Sequence, residues 1–389
     1  MSERIETALI HGAIREGYAD KKGAVNVPMY LSSTFHQESI DEFGEYDYAR
    51  SGNPTRAALE KAIAELEGGE RGFAFATGMA AVSACFMILS AGDHIVITED
   101  VYGGSYRFVT KVLPRFGITH TFVDFTDVDA VRAAVRPETK LIYMETPSNP
   151  TLGITDIRAI VEIARETGAL TFLDNTFMTP LHQRPLELGV DVVIHSATKF
   201  LSGHSDIVAG LVVTKDAELG DRIYFVQNSF GSVLGVQDSY TLIQNMKTTA
   251  VRFNEETRVA ERIAKFLEVH PLVEKVYYPG LASHPGHDIH ASQSTSNGAV
   301  LSFSLPSYSV AKAFVSAMKI PVFAVSLGGV ESILSYPAKM SHAAMEPEER
   351  AKRGITDGLL RFSVGLENED DLLEDFAQAL KAAAEVATV

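Results

Sequence analysis

Two ionisable side chains follow short apolar segments of the sequence. Asp174 closes the segment 170–174, and Lys199 comes four residues after the segment 192–195. An acid and a lysine placed side by side form either a structural ion pair or two parts of a site for pyridoxal phosphate. That cofactor joins a lysine through its aldehyde, and a carboxylate keeps its ring nitrogen protonated so that the ring can take up electrons. The two residue types alone leave both interpretations open.

The phosphate group of such a cofactor needs hydrogen-bond donors. Gly78 and Met79 stand where a strand-like segment, 72–76, turns into a helical pattern, and free N–H groups at a helix start bind anions. Ser196 and Thr198 add hydroxyl groups beside Lys199. Tyr102 follows another strand-like segment, and its ring is able to stack on a pyridine face. An ordinary helix start and an ordinary tyrosine at the rim of a cleft explain these features equally well.

The surrounding pattern predicts an α/β protein with a mostly parallel sheet and helices on both of its faces. Short segments rich in Val, Ile, Leu and Phe alternate with helical patterns, as parallel βαβ units require. Ligands of such sheets bind beyond the carboxyl ends of the strands, where Asp174 and Lys199 stand. The predicted strands are 94–98, 120–124, 141–145, 170–174, 192–195 and 211–214. One predicted helix begins at Asn53-Pro54, and the others cover 79–90, 104–116, 127–135 and 155–167.

We predict three parts along the chain. Residues 1–54 are polar, rich in tyrosine and without a clear period, which is typical of an arm rather than a domain. Residues 55–240 contain the alternating pattern and the candidate cofactor site. Residues 241–389 form a smaller α+β domain, with helices predicted at 252–269 and 309–319, a strand at 298–305 and a last helix that carries Leu373, Phe376 and Leu380.

Composition excludes several classes of protein. The 389 residues contain 34 Lys and Arg against 50 Asp and Glu, a net charge of −16, which disfavours nucleic acid and anionic membranes as partners. The hydrophobic fraction of 46% is sufficient for a large core. The single cysteine, Cys85, lies in an apolar run and is predicted to be buried. No signal peptide or membrane-spanning segment is visible, so we predict a cytoplasmic protein.

A lysine-containing motif and seven further motifs, in order, resemble those of the Cys/Met-metabolism family of pyridoxal-phosphate-dependent enzymes. The central one is Ser196-Ala-Thr-Lys199-Phe-Leu-Ser-Gly-His204-Ser-Asp206. The others begin at Tyr48, Thr77, Tyr102, Glu145, Asp174, Ser326 and Arg361, so that the resemblance covers essentially the whole chain. It implies the aminotransferase-like fold type I with a smaller C-terminal α+β domain. It also implies pyridoxal 5'-phosphate as cofactor and a homotetramer built from two dimers that share their active sites.

The resemblance also implies a role for individual residues. Lys199 would hold the cofactor covalently and move protons, Asp174 would pair with the ring nitrogen, and Tyr102 would stack on the ring. Arg361 would bind the substrate α-carboxylate, with Asn149 and Ser326 nearby. The phosphate would be held by Gly78, Met79, Ser196 and Thr198, and by Tyr48 and Arg50 of a neighbouring subunit.

The implied reaction is carbon–sulfur bond cleavage. The stretches 233–239 and 331–342 are most similar to bacterial members that cleave L-cystathionine by β-elimination to homocysteine, pyruvate and ammonia. Asp47, Arg107 and Glu331 match positions of members that carry out γ-elimination to cysteine, 2-oxobutyrate and ammonia, which keeps that reaction open. γ-Synthesis of cystathionine and desulfhydration of homocysteine are further alternatives. Gly104 replaces a cysteine typical of members that act on methionine.

Three other interpretations are weaker. His284, His287 and His290 are close enough in sequence to suggest a metal site, but the Pro and Gly between them indicate a loop, and we predict no metal. The glycine patterns of dinucleotide- and ATP-binding proteins are absent from the sequence. A binding or regulatory relative of the fold would be expected to lack Lys199 or Asp174, and both are present.

Overall fold

The computed structural model describes residues 4–14, 22–343 and 345–387. Its larger sheet has seven strands in the order β1-β7-β6-β5-β4-β2-β3. The strands are β1 Arg71–Phe75, β2 His94–Thr98, β3 Thr119–Val123, β4 Thr139–Glu145, β5 Leu170–Asp174, β6 Val192–Ser196 and β7 Gly210–Thr214. The five strands from β2 to β6 run parallel, as predicted.

The prediction of parallel pairing is wrong for the last strand of this sheet. β7 runs antiparallel to both β6 and β1. The thirteen residues between Ser196 and Gly210 contain the turn that carries Lys199 and no helix. Without a crossover helix, the chain re-enters the sheet next to β6 in the opposite direction. The apolar run 211–214 has the same composition as a parallel strand because it, too, is buried on both faces.

Helices cover both faces of this sheet, as predicted, and each face has its own apolar core. Ile142 and Met144 of β4 pack into one core with α2 and α6, whereas Leu141 and Tyr143 point to the other face, toward α3 and α8. The helices of this part of the chain are α2 Pro54–Glu67, α3 Gly78–Phe86, α4 Gly103–Lys111, α5 Val128–Ala134, α6 Ile157–Thr167, α7 Thr179–His182, α8 Ala217–Phe230 and α9 Val236–Met246.

Local sequence signals explain several helix ends. The Asn53 side chain accepts the N–H of Thr55 at 2.9 Å, Pro54 is the first helical residue, and Gly68 ends α2 in the left-handed region with φ +73°. α3 ends at Phe86 rather than 90, and α4 ends at Lys111, followed by a 3₁₀ turn over Leu113–Phe116. α8 and α9 are absent from the prediction, because their apolar residues lie where the alternating pattern has stopped.

A second sheet follows in the order β10-β11-β12-β9-β8. Its strands are β8 Lys275–Tyr277, β9 Val300–Ser304, β10 Val322–Phe323, β11 Ile333–Ser335 and β12 Leu359–Ser363. Phe303 of β9 and Phe362 of β12 pack on Phe376 of the last helix, which confirms the predicted strand and the predicted closing helix. The helices here are α10 Thr249–Glu268, α11 His287–Gln293, α12 Tyr308–Ala317, α13 Pro347–Lys352 and α14 Glu369–Ala387.

The amino-terminal segment contains a helix that the sequence pattern does not predict. This helix, α1 Ile5–His11, contacts α2 and buries Leu9 in the core. Residues 22–53 form only an isolated bridge between Thr34 and Tyr48, and residues 1–3 and 15–21 of the predicted arm lie outside the described residues. Among the described helices, none has both the length and the apolar composition needed to cross a bilayer.

Candidate functional site

Lys199 lies in the turn that follows β6, and its side chain points toward the smaller sheet. Its Nζ donates a hydrogen bond to Ser326 Oγ at 2.8 Å, across 127 residues of sequence. Burial, then the neighbouring Arg361 guanidinium, lowers the pKa of Lys199 to about 8, and the Asp174 carboxylate partly offsets this. The lysine is therefore far easier to deprotonate than a lysine in water, which suits an amine that must react or move protons.

Asp174 ends β5, next to β6 and the Lys199 turn, as the sequence predicts. Thr176 Oγ1 donates to Asp174 Oδ1 at 2.5 Å, and the Thr176 N–H donates to the same oxygen at 3.0 Å. The Ser196 N–H in turn donates to Thr176 Oγ1 at 2.8 Å, so that Thr176 connects the two strand ends. The sequence analysis missed Thr176, although a hydroxyl two residues after a strand-ending Asp is a recognisable turn signal.

The start of α3 has the form of an anion site. Thr77 Oγ1 accepts the N–H of Ala80, whereas the N–H groups of Gly78 and Met79 precede the first hydrogen bond of the helix. A Cβ added to Gly78 would lie 2.8 Å from Ser196 Oγ, so only glycine lets this backbone approach Ser196. The Thr198 hydroxyl is less available to an anion, because it donates to the Ala209 carbonyl at 3.2 Å and accepts the Ala209 N–H at 3.0 Å.

Tyr102 precedes α4, and its ring is 46% exposed. A Cβ added to Gly104 would lie 2.6 Å from the Tyr102 ring and 2.7 Å from Met79 Sδ, so the absence of a side chain at Gly104 makes room for both groups. The Tyr102 N–H donates to Glu145 Oε2 at 3.0 Å, which fixes the start of the loop that carries the ring. The structure therefore brings Tyr102, Gly78 and Met79 to one corner of the site.

Glu145 is a site residue that the sequence analysis did not select. It ends β4 directly opposite Asp174 of β5 and is buried, so two carboxyl groups meet at adjacent strand ends. Burial, reinforced by the charge of Asp174, raises the pKa of Glu145 well above its usual range. Burial also raises the pKa of Asp174, but two hydrogen bonds from Thr176 and the nearby Lys199 favour its charged form. The hydrogen bonds and the nearby cation therefore favour the negative charge on Asp174 rather than on Glu145.

Arg361 of β12 is a buried cation without a carboxylate partner among the described residues. Its guanidinium donates to Asn149 Oδ1 at 2.8 Å, to the Ser326 carbonyl at 2.6 Å and to Ser335 Oγ at 3.2 Å. Its Nε is buried and has no acceptor. Burial lowers the pKa of Arg361 to about 10, which still leaves it charged at neutral pH. A buried, charged and incompletely satisfied guanidinium beside Lys199 is an environment that favours a small carboxylate.

A cavity of about 520 Å³ opens beside these groups. Thr198 and Ser326 line it together with Glu331, one of the residues predicted for substrate binding. Val208, Val322 and Val325 contribute apolar side chains to the same lining.

Four predicted residues lie on the surface and make no polar side-chain contact with Lys199, Asp174 or Arg361 within the described chain. Asp47, Tyr48, Arg50 and Arg107 are exposed, and none of the hydrogen bonds or ion pairs of the described residues joins their side chains to Lys199, Asp174 or Arg361. Arg50 Nε instead donates to Asn228 Oδ1 of α8 at 3.2 Å, and its guanidinium lies 5.2 Å from the centre of the Tyr48 ring.

The histidines 284, 287 and 290 do not converge on a common point. Each uses one ring nitrogen in a hydrogen bond to a different backbone carbonyl: those of Leu152, Pro279 and Ser296 respectively. In the described ranges no group of three or more His, Cys, Asp or Glu is arranged to hold a metal ion. Cys85 is fully buried, as predicted, and burial raises the pKa of its thiol.

These features fit pyridoxal phosphate. A lysine with a lowered pKa lies near the strand-ending Asp174, whose charged form is favoured by two hydrogen bonds from Thr176. The glycine at the start of α3 leaves a cradle with free N–H groups next to the Ser196 hydroxyl. The buried Nε of Arg361, which has no acceptor among the described residues, leaves a donor that fits a second anion.

Comparison with known proteins gives the same result. The model of the family "Cys/Met metabolism PLP-dependent enzyme" matches residues 6–381. The chain is 62% identical over 382 residues to a protein of Bacillus subtilis (strain 168) named cystathionine beta-lyase MetC, a match that covers 98% of this chain and 97% of that protein. It is 50% identical to the cystathionine gamma-lyase of the same organism, over 97% of this chain and 99% of that protein.

Solved structures agree in fold. The cystathionine gamma-lyase from Lactobacillus plantarum, complexed with L-serine, has a TM-score of 0.95 at 46% identity, with 98% of this chain and 100% of that chain covered. The cystathionine gamma synthase from Xanthomonas oryzae pv. oryzae, in complex with cystathionine, has a TM-score of 0.96 at 41% identity, with 99% and 100% covered. The predicted fold type I is thereby confirmed, and the chain belongs to the Cys/Met-metabolism family of pyridoxal-phosphate-dependent enzymes.

Proposed function

We propose that this protein is a carbon–sulfur lyase that cleaves L-cystathionine by β-elimination to homocysteine, pyruvate and ammonia. The observation that carries the proposal is the buried Arg361 guanidinium, which has an unsatisfied Nε and lies near the reactive Lys199. This pairing suits an α-amino acid whose α-proton is to be removed. The choice of β-elimination rests on the 62% identity with a relative named for that reaction.

Arg361 and Asn149 would bind the substrate α-carboxylate and so set the direction of the Cα–H bond. Lys199, positioned by Ser326, would take the α-proton. When bound, pyridoxal phosphate supplies an electron sink for the electron pair that the α-carbon gains. Asp174 would keep its charge next to the ring nitrogen, and Tyr102 would cover the ring.

The Cβ–S bond then breaks, and the sulfur leaves with the bonding electron pair as the thiolate of homocysteine. The remaining three-carbon unit takes up water and gives pyruvate and ammonia. The proton held by Lys199 would be available to the departing sulfur, because Lys199 Nζ contacts Ser326 Oγ and Ser326 lines the cavity. The phosphate would be held by Gly78, Met79 and Ser196, with Thr198 fixing the turn rather than donating.

γ-Elimination is the second candidate, because Glu331, which matches a position of γ-eliminating members, lines the cavity together with Ser326. The deciding experiment gives the purified protein L-cystathionine and identifies the keto acid by mass spectrometry. Pyruvate supports the proposal, and 2-oxobutyrate supports γ-elimination instead. Lys199→Ala is the matched control and should form neither keto acid; turnover in that variant would contradict the role of Lys199.

We also propose a cytoplasmic homotetramer whose arms complete neighbouring sites. In support, the arm exposes large apolar side chains, with Leu31 71%, Ile40 90% and Phe43 71% exposed, and a monomer rarely leaves such groups uncovered. Tyr48 and Arg50 lie on the same arm with free surface. Light scattering of the purified protein would give the number of subunits.

A further inference from the structure

Arg252 is a buried arginine outside the cavity, and the proposed reaction makes no use of it. It lies in α10 with only 4% of its surface exposed. Its Nη1 donates to the carbonyl of Phe200 at 3.1 Å, its Nη2 to the carbonyl of Asn245 at 3.1 Å and its Nε to Thr248 Oγ1 at 3.1 Å. Phe200 is the residue directly after Lys199, so one arm of the guanidinium holds the backbone that carries the lysine.

The turn after Lys199 is shaped to receive this guanidinium. The Gly203 N–H donates to the Lys199 carbonyl at 2.7 Å, which closes the turn, and Gly203 has φ +75°. A Cβ added to Gly203 would overlap the Arg252 guanidinium. Gly203 is therefore required twice, for its left-handed backbone and for the room that it leaves to Arg252. The motif that contains Lys199 thus includes a glycine that has no contact with the cavity but a direct one with α10.

A buried guanidinium is expensive to desolvate, and its retention at this place calls for a reason beyond packing. Most of its donors reach oxygen atoms of three different segments: the Lys199 turn, the end of α9 and the start of α10. Arginine does this with a rigid planar fork, which a lysine cannot reproduce. The arrangement fixes the position of the Phe200 carbonyl relative to two helices.

We infer that Arg252 is a positioning residue for Lys199: through Phe200 and the space left by Gly203, it holds the Lys199 turn so that the amine reaches its reaction partner. The inference rests on the proposed function only for the assignment of Lys199 as the attachment point of the cofactor.

The test measures attachment rather than turnover. The full-length protein is freed of cofactor, mixed with pyridoxal phosphate and reduced with borohydride at set times, and the labelled lysine is mapped by peptide mass spectrometry. We expect Arg252→Gln to slow labelling at Lys199 by roughly tenfold or more, since small misplacements of reacting groups lower rates by that order. An unchanged rate would overturn the inference.

A second comparison separates positioning from general support of the site. In a Lys199→Ala background, pyridoxal phosphate binds only non-covalently, and adding Arg252→Gln should leave its Kd unchanged. If the Kd rises as much as the labelling rate falls, Arg252 supports the whole site and the inference is wrong. If the parent protein itself is not labelled at Lys199, the proposed function fails instead, so the two failures are distinct.

Arg258→Gln is the matched control, because Arg258 lies on the same helix but is 52% exposed and, within the described part of the chain, pairs only with Glu255 and Glu369. It should label at the parent rate. If Arg252→Gln does not fold, the labelling rate at Lys199 is measured in Arg252→Lys instead. One ammonium group cannot reach Phe200, Asn245 and Thr248 together, so the same slowing is expected. In that case labelling at the parent rate in Arg252→Lys would overturn the inference.

Discussion

The amine of Lys199 is held by the hydroxyl of Ser326, a residue whose own backbone is strained. The Nζ–Oγ distance is 2.8 Å, and Ser326 has φ +86°, a conformation that residues with a Cβ seldom adopt. The Ser326 carbonyl also accepts a hydrogen bond from Arg361. Ser326 thus joins the group that would take the α-proton to the group that would bind the α-carboxylate, which explains why the strain is tolerated here.

Substitutions of Ser326 should separate activity from stability. Ser326→Ala and Ser326→Gly both remove the hydroxyl, so we expect the same loss of kcat for cystathionine cleavage, about tenfold or more. Only glycine relieves the left-handed backbone, so the glycine variant should be more stable than the alanine variant by about 1 kcal/mol. Steady-state kinetics and thermal unfolding of the two variants measure these effects. Equal stabilities would show that the backbone at this position is not strained.

The paired carboxyl groups of Glu145 and Asp174 give a second prediction. If Glu145 carries the proton, glutamine reproduces its shape, its neutral charge and its acceptor for the Tyr102 N–H. We expect Glu145→Gln to keep kcat/KM within about tenfold of the parent value, and Glu145→Ala to lose on the order of a hundredfold because the Tyr102 loop is released. Asp174→Asn, which removes the charge, should be far more harmful than Glu145→Gln. Similar losses in both amide variants would mean that Glu145 is charged.

Arg361 should be necessary for recognition of the α-carboxylate. Arg361→Lys keeps a positive charge but loses the planar fork that contacts Asn149 and Ser335. We expect kcat/KM for cystathionine to fall by about 10- to 150-fold, equivalent to the 1.5–3 kcal/mol of a charge-assisted hydrogen bond. A substrate whose reacting α-carboxylate is replaced by an amide should be processed equally slowly by the parent and the variant. If the parent still processed the amide substrate faster than the Arg361→Lys variant, the substrate α-carboxylate would bind somewhere other than Arg361.

The parts of this site that could be predicted from sequence are those fixed by strand ends. Asp174 and Lys199 follow β5 and β6, and the parallel pairing of those strands brings them together. Ser326 and Arg361 come from the smaller sheet, and no period in the sequence indicates that this sheet packs against the Lys199 turn. Their placement depended on the family resemblance.

Glu145 and Arg252 show why the remaining residues were missed. Glu145 closes a strand just as Asp174 does, and its sequence contains no sign of its burial or of its contact with the Tyr102 N–H. Arg252 occupies a position in a long amphipathic helix where a charged residue normally faces solvent. Its burial follows from the absence of a side chain at Gly203, a contact across 49 residues that no local pattern encodes.

Glu256 should give the protein a stability that falls as the pH rises. It is fully buried in α10, neither of its carboxyl oxygens has a hydrogen-bond partner among the described residues, and burial raises its pKa to about 8. In the unfolded chain this carboxyl group titrates near its ordinary value of 4.5. Between these two values the folded state binds the additional proton, so Glu256 lowers the stability progressively as the pH rises from about 4.5 to about 8.

Glu256→Gln removes the titrating carboxyl group and therefore its contribution to the pH dependence of stability. Thermal unfolding of the parent and the variant at pH 5.5 and 8.5 should show that the variant gains stability relative to the parent at the higher pH. Other titrating groups are common to both proteins and cancel in the comparison. A constant difference between the two proteins at both pH values would mean that Glu256 does not titrate in this range.

The last prediction concerns Arg50, whose guanidinium is exposed and reaches no group of the cavity in its own chain. If the arm completes a neighbouring site, Arg50→Ala should weaken the affinity for pyridoxal phosphate, because one cation near the phosphate is lost. A stronger test mixes two proteins that are both defective when the cofactor is limiting. Arg50→Ala retains Lys199 but lacks the arm cation, whereas Lys199→Ala retains Arg50 but lacks the base.

A mixed pair of these two subunits should contain one complete site. Its Lys199 comes from the Arg50→Ala subunit and its Arg50 from the other, provided that the arm crosses the interface. Co-expression of the two variants with different affinity tags, followed by isolation of the doubly tagged oligomer, should therefore restore up to half of the parent activity per mixed dimer at limiting cofactor. If each arm instead served its own chain, both defects would remain in separate sites, and mixing would restore nothing. Activity of the doubly tagged oligomer therefore distinguishes a shared site from a self-contained one without reference to the number of subunits.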